Sequence, residues 1–148
     1  MDELHGMRGD DIVSDYGRHE RDVLSGGAGF DKLSYAHSAD GDLTVTLDGV
    51  ANDGLPGEND NIPTDFEHIS LGDGDDTFVG NDLPATVFGG GGNDSITGGG
   101  GRDRLHGQFG EDVFHTSDGR TDWVWGGNGQ DEATDRDPID RVRHVELL

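Results

Sequence analysis

Large apolar residues recur along the second half of the chain at intervals of nine or ten positions, with glycine and aspartate between them. Each is the middle residue of a triplet that can form a short strand whose middle side chain points inward. The six residues before each triplet are rich in glycine, which favours a tight turn. The pattern predicts an all-β chain of short strands and turns, with the inward residues Phe78, Val87, Ile96, Leu105, Phe114, Val124 and Ala133.

A nine-residue repeat accounts for this spacing. Residues 89–115 read GGGGNDSIT, GGGGRDRLH and GQFGEDVFH, three copies of Gly-Gly-x-Gly-x-Asp-x-U-x in which U is a large apolar residue. Glycine and aspartate alone fix the register, yet position eight is apolar in every copy, so the strand pattern supports the repeat independently. With Thr116 as a single slip, the copies cover 71–79, 80–88, 89–97, 98–106, 107–115, 117–125 and 126–134.

The rest of the chain divides around this main block. Worn copies at 6–14, 17–25 and 26–34 precede it, and the segment between the blocks is as long as four nonapeptides, enough to fill two degenerate coils. Residues 142–147 repeat the pattern of residues 66–71, which indicates a fragment of a longer repeat protein or a terminal cap. We predict a degenerate repeat block at 1–34, an insertion with a strand and an acidic loop at 35–70, the main block at 71–134 and a C-terminal capping or linker strand at 135–148.

The charge of the chain adds a condition for folding. Asp and Glu number 32 against 10 Lys and Arg, a net charge of -22 over 148 residues. Such a balance is typical of disordered chains, but a multivalent cation would neutralise carboxylates that recur at one repeat position, and its binding would supply folding free energy. The same charge disfavours nucleic acid as a partner. We find no apolar run long enough for a membrane span, no apolar signal segment and no cysteine for a disulfide or thiolate site.

The nonapeptides resemble the calcium-binding repeats of the RTX (repeats-in-toxin) family, also described as hemolysin-type repeats. The resemblance implies a parallel β-roll, a β-helix solenoid in which repeat i lies beside repeat i+2, with one strand-containing insertion. It also implies several Ca²⁺ ions between the turns of adjacent coils, bound by backbone carbonyls and by the aspartates at position six. Calcium prefers six to eight hard oxygen ligands, which agrees with this composition. The alternative is that each aspartate only caps its own turn.

Transferred to this chain, the family pattern gives specific ligand pairs. On one edge it pairs Asp76 with Asp94, Asp94 with Asp112, and Asp112 with Asp131; on the other edge it pairs Asp103 with Asp122. Ala85 replaces the aspartate of one copy, which predicts a weak or absent site, and Asp11 with Asp31 forms a further pair if the slip at residues 15–16 permits. The carbonyl ligands implied are those of Gly72, Gly74, Gly89, Gly91, Gly90, Gly92, Gly107, Phe109, Gln108, Gly110, Gly126, Asn128, Gly99, Gly101, Ser117 and Gly119.

Two features outside the turns suggest further chemistry. The acidic loop at 52–60 either holds an additional ion or is solvated. Phe88, His106 and Trp125 are expected to stack on one outward face beside Arg104 and Trp123, as a platform for a glycan or protein partner, unless the insertion or the C-terminal segment covers them. No catalytic motif is present.

The sequence therefore predicts a non-enzymatic calcium-binding module that folds on binding Ca²⁺ outside the cell. We expect it to be secreted, with type I secretion as one route, or to lie at the cell surface, and to have flanking domains in a longer chain. The alternatives are an adhesive module and an accessory module of a secreted enzyme.

Overall fold

The computed structural model describes residues 1–15, 21–35 and 41–147 as strands, turns and bends without a helix. Parts of the predicted 17–25 copy and of the insertion, and the last residue, lie outside these ranges. The strands of the longest sheet, which has seven, are β2 (Ile12–Ser14), β4 (Lys32–Ser34), β8 (His68–Ser70), β10 (Thr86–Gly91), β12 (Arg104–Phe109), β14 (Trp123–Asn128) and β16 (Arg141–Arg143).

Two further sheets form the opposite side of the stack. A six-stranded sheet contains β5 (Thr44–Thr46), β9 (Thr77–Val79), β11 (Ser95–Thr97), β13 (Val113–Thr116), β15 (Glu132–Arg136) and β17 (Glu146–Leu147). A four-stranded sheet contains β1 (Glu3–His5), β3 (Val23–Ser25), β7 (Asp60–Asn61) and β6 (Ala51–Asp53).

Parallel pairing between alternate repeats builds the solenoid. Ile96 lies opposite Phe78 and Phe114, and Leu105 lies opposite Val87 and Val124. Repeat i therefore lies beside repeat i+2, and the predicted parallel β-roll is confirmed. The position-eight side chains point between the two sides of the stack, where all seven in the main block are at most 1% exposed.

Three strands are twice as long as the predicted triplets. β10, β12 and β14 each contain six residues, because the ladder continues into the turn through Gly90, Gln108 and Gly127. Gln108 holds φ 81 there, a left-handed conformation that glycine adopts more cheaply. On this side, strand and turn are therefore one continuous hydrogen-bonded segment.

The insertion fills one coil, so the expectation of two degenerate coils is wrong. β4 pairs directly with β8 in the seven-stranded sheet, which leaves no room for another coil on that side. On the other side β5 pairs with β9, and the antiparallel hairpin β6–β7 lies between β5 and β3. The extra length is therefore accommodated as a hairpin on one side only.

The chain ends continue the stack further than the repeat copies indicate. β1 pairs with β3, with Leu4 opposite Leu24, so a strand precedes the first predicted copy. At the other end β16 pairs with β14 and β17 pairs with β15. Residues 141–147 thus add strands to both sides of the roll. The described residues contain no helix with the length and apolar character to cross a bilayer.

Removing an inward aromatic side chain should destabilise the roll, because the surrounding coils cannot collapse into the space. Phe78 is fully buried, whereas Val79 in the same strand is 38% exposed. We expect Phe78→Ala to lower the free energy of unfolding in calcium by about 3–5 kcal/mol, measured by denaturant unfolding. Val79→Ala is the matched control and should change it by less than about 1 kcal/mol; equal effects would show that the core is placed wrongly.

Candidate metal sites

The aspartates at position six are buried. In the main block their residue exposure is 2% or less, in a chain whose other acidic residues are mostly at the surface. Removing a carboxylate from water is costly unless hydrogen bonds or opposite charge compensate it. The partners of each carboxylate oxygen therefore decide what the site can bind; the residues concerned are Asp76, Asp94, Asp103, Asp112, Asp122 and Asp131.

One oxygen of each carboxylate links adjacent coils. The backbone N–H of Asp76 donates to Oδ1 of Asp94 at 3.0 Å, and that of Asp94 donates to Oδ1 of Asp112 at 2.9 Å. The N–H of Asp112 donates to Oδ1 of Asp131 at 3.0 Å, and on the other edge that of Asp103 donates to Oδ1 of Asp122 at 2.8 Å. The structure thus brings together every aspartate pair predicted for the main block.

The first block contains the same link. The N–H of Asp11 donates to Oδ1 of Asp31 at 2.8 Å. The slip at residues 15–16 therefore does not separate this pair, although Tyr16 itself lies outside the described residues.

The second oxygen of these carboxylates is buried without a hydrogen-bond partner in the described part of the chain. This holds for Oδ2 of Asp94, Asp103, Asp112, Asp122 and Asp131, and also for Oδ2 of Asp11 and Asp31. Asp76 differs, since its Oδ2 accepts from the N–H of Gly72 in its own turn at 3.0 Å. The alternative that an aspartate only caps its own turn therefore holds for Asp76. It does not account for the Oδ2 atoms of the other aspartates, which are suited to bind a cation.

Position-one glycines shape the space beside these oxygens. A β-carbon on Gly89 would overlap Oδ2 of Asp94 and lie 2.8 Å from the carbonyl oxygen of Gly107. A β-carbon on Gly107 would overlap Oδ2 of Asp112 and lie 2.7 Å from the carbonyl oxygen of Gly126. At each point a carboxylate oxygen and a carbonyl oxygen of the next coil converge, which is the type of ligand set that calcium accepts.

The other predicted carbonyl residues also lie in the turns. The carbonyl oxygens of Gly72 and Gly74 approach Gly90 and Gly92 so closely that a β-carbon on either would overlap them. Gly91, Phe109 and Asn128 form one row of the parallel ladder, and Gln108 lies opposite Gly90. The remaining positions are in the turns before Asp103, Asp112 and Asp122: Gly99, Gly101, Gly110, Ser117 and Gly119. Their role as ligands remains a prediction.

Sequence reasoning missed several members of the position-six rows. The N–H of Asp2 donates to Oδ1 of Asp22, that of Asp31 to Oε2 of Glu67, and that of Asp122 to Oδ1 of Asp140. Asp2 could have been found from the spacing Asp-x-Leu that it shares with Asp22. Glu67 and Asp140 have no glycine turn in the usual register, so only the strand pairing identifies them.

Each row also has a break. Leu43 lies at position six opposite Asp76, and its N–H donates to Oδ1 of that residue at 2.7 Å. Ala85 lies between Glu67 and Asp103 on the other edge, and its N–H donates a hydrogen bond to Oδ1 of Asp103 at 2.8 Å. Neither side chain can ligate a cation, so each row is interrupted at adjacent coils.

Burial raises the pKa of five of the main-block aspartates. It raises the pKa of Asp94 to about 8 and that of Asp103 to about 7, with repulsion from Asp112 and Asp122 adding to the respective shifts. Burial also raises the pKa of Asp76, Asp112 and Asp122 to about 6. The direction is that of carboxylates without a compensating positive charge, and a bound divalent cation would reverse it.

An aromatic row runs across the seven-stranded sheet, as predicted for three of its four members. The rings of Phe88 and His106 have centroids 4.7 Å apart, and those of His106 and Trp125 are 4.6 Å apart. His68, which the sequence did not identify, extends the row at 5.1 Å from Phe88. These four residues form the aromatic row, and each remains partly exposed.

Arginines border this row at one end. The guanidinium carbons of Arg104 and Arg141 lie 5.0 Å and 5.7 Å from the ring centroid of Trp123. A shallow groove of about 510 Å³ lies there, lined by Arg104, Trp123, Trp125, Arg141, Val142 and Arg143. Three of the chain's ten Lys and Arg residues thus lie around two tryptophans.

Comparison with known families agrees with this geometry. The model of the RTX calcium-binding nonapeptide repeat matches four copies, at residues 2–33 and 86–114. The chain contains RTX repeats. The matched ranges include Asp2, Asp11 and Asp31 as well as the central copies, and the strand pairing extends the same arrangement to residues 71–85 and 115–134. RTX repeats are a calcium-binding structural family, and no curated protein matches the chain.

The raised pKa values predict how the stability of the RTX repeats depends on pH when a chelator keeps calcium away. Unfolded aspartate titrates at about 3.9, so the folded chain holds more protons than the unfolded chain between about pH 4 and pH 8, and its stability falls as the pH rises through that window. We expect strand signal in far-UV circular dichroism to increase from about pH 8 to about pH 5 in chelator.

Asp94→Asn should weaken this dependence, because it removes the group whose pKa is raised to about 8. Asp73→Asn, at an exposed position of the neighbouring turn, should leave it in place. Strand signal that decreases on acidification would contradict the prediction.

Proposed function

We propose that this chain is a calcium-dependent folding module, the structural part of a larger secreted or cell-surface protein. The observation that carries the proposal is the repeated buried Oδ2 atom without a hydrogen-bond donor in the described residues. Such an oxygen destabilises the folded chain by about 1–3 kcal/mol or more when it is charged, and the cost recurs at seven aspartates. A Ca²⁺ ion between adjacent coils would convert that cost into binding energy.

The electrostatics support a switch between two states. A net charge of -22 disfavours a compact chain through self-repulsion, so the chain without calcium is expected to be extended. Extracellular calcium modules bind with dissociation constants of about 10⁻⁴–10⁻³ M. Low intracellular calcium would then keep the chain unfolded before export, and millimolar calcium outside would fold it.

The site offers binding chemistry without a catalytic arrangement. The buried carboxylates are committed to the links between coils, and the proposed module is therefore not itself an enzyme. It serves as the structural part of a longer protein, and an accessory role beside a secreted enzyme domain would use the same folding reaction.

Calcium titration of the purified chain tests this function. We expect strand signal in circular dichroism to appear with Ca²⁺ and to be lost with chelator near neutral pH, and calorimetry to count several ions per chain. Full strand signal in chelator at neutral pH would contradict calcium-dependent folding.

A matched pair of variants sharpens the test. Asp112 faces both Asp94 and Asp131 and would contribute to two ions, so Asp112→Asn should raise the calcium midpoint by roughly tenfold and reduce the ion count. Glu111→Gln removes the same charge from the neighbouring exposed position and should change neither.

A second function is favoured by the aromatic row and its groove. Stacked, partly exposed rings beside Arg104 and Trp123 are suited to the faces of sugar rings and to anionic substituents. We therefore propose an additional adhesive role towards a glycan, with a protein partner as the alternative.

Substitution of both tryptophans separates binding from folding. Trp123→Ala with Trp125→Ala should abolish binding on a glycan array while calcium-induced folding persists. His115→Ala, on the six-stranded sheet, is the control and should retain binding. Loss of folding in the tryptophan variant, or retained glycan binding, would contradict the adhesive role.

A further inference from the structure

The insertion contains buried carboxylates. They lie in the acidic loop at 52–60, for which the sequence allowed either an additional ion or a solvated loop. Asp53, Glu58 and Asp60 are 1%, 3% and 0% exposed. Asp53 accepts hydrogen bonds from the N–H groups of Thr46 and Ile62, and Glu58 accepts one from the N–H of Leu55. These two carboxylates are therefore stabilised within the insertion itself.

Asp60 is different. Its Oδ1 accepts from the N–H of Asp22 at 2.7 Å, but its Oδ2 is buried and has no hydrogen-bond partner among the described residues. Aspartates of the nonapeptide turns likewise combine a buried carboxylate with one oxygen that accepts no hydrogen bond from the described residues. A positive charge nearby would stabilise the ionised form of Asp60.

Two more carboxylates converge on Asp60. One oxygen from each of Asp15, Asp22 and Asp60 lies within 4.8 Å of the other two. Calcium binds oxygen at about 2.3–2.6 Å, so two ligands on opposite sides of one ion lie about 5 Å apart. Asp15 and Asp22 are only 9% and 8% exposed, so the ion would be largely shielded from water.

One salt bridge to this cluster lies within the described residues. The α-amino group of Met1 lies 4.0 Å from Oδ1 of Asp22. Burial, followed by repulsion from Asp15 and Glu58, raises the pKa of Asp60.

Two of the three carboxylates, those of Asp15 and Asp60, lie outside the nonapeptide copies. A β-carbon on Gly54 would lie 2.6 Å from Oδ2 of Asp60 and 2.8 Å from Oε2 of Glu58, so the free oxygen of Asp60 lies beside the turn of the inserted hairpin. Asp15 follows strand β2 outside any copy of the repeat. The three carboxylates come from separate segments: Asp15 follows β2, Asp22 precedes β3 and Asp60 begins β7.

The cluster lies where the hairpin meets the N-terminal coils. β7 joins β3 through a single register pair, Val23 with Asn61, supported by the N–H of Asn61 donating to the carbonyl of Asp22 at 2.8 Å. We propose that Asp15, Asp22 and Asp60 bind one calcium ion that fastens the inserted hairpin β6–β7 to the N-terminal coils.

Calorimetry with Ca²⁺ on the whole chain tests the site. Asp60→Asn keeps the side-chain size and an acceptor for the N–H of Asp22, and it should bind one ion fewer than the wild type. Amide hydrogen exchange in residues 51–61 should also become faster, while exchange in β12 and β14 stays unchanged. Asp48→Asn, an exposed substitution in the same insertion, should keep the wild-type ion count and exchange rates.

The outcomes distinguish this site from calcium-dependent folding as a whole. A wild type that folds with Ca²⁺, beside an Asp60→Asn variant with the same ion count, would overturn the cluster alone. A wild type that binds no Ca²⁺ would overturn both. Where Asp60→Asn fails to fold, Asp15→Asn decides: one ion fewer supports the site, and an unchanged count overturns it.

Discussion

Buried carboxylate oxygens that accept no hydrogen bond from the described residues are the constraint on which this fold depends. Oδ1 of each position-six aspartate accepts the amide of the preceding coil, as between Asp94 and Asp112, so the carboxylate cannot leave the interior without breaking the link. Oδ2 is then held in the interior as well, where water is excluded. The roll therefore gains its inter-coil hydrogen bonds only together with an electrostatic penalty, which a hard cation can remove.

The same constraint explains why glycine occurs at the first position of the repeat. At Gly89 and Gly107 a side chain would overlap the Oδ2 atom of the aspartate five residues later. Glycine is thus required there by the carboxylate and by the carbonyl oxygen of the next coil. Sequence, turn shape and metal chemistry are coupled within nine residues, and a change in any one of them affects the other two.

Strict periodicity made much of the structure predictable. The core residues, the aspartate pairs and the stacking of Phe88, His106 and Trp125 all follow from position within the repeat. Glu67, Asp140 and the Asp60 cluster do not, because strand pairing across the insertion places them and local sequence does not record that pairing. The insertion also shows that the length of a segment does not predict its number of coils. Its length equals four nonapeptides, yet it forms one coil and a hairpin.

The breaks at Leu43 and Ala85 divide the solenoid into two parts. Both carboxylate rows are interrupted at adjacent coils, so ions bound on either side share no ligand through those positions. The apolar core and the parallel ladder continue across the boundary, which keeps the coils in register. We therefore expect the coils before these positions and the coils after them to bind and release ions as two separate cooperative units. The C-terminal unit can then fold while the N-terminal unit remains unfolded.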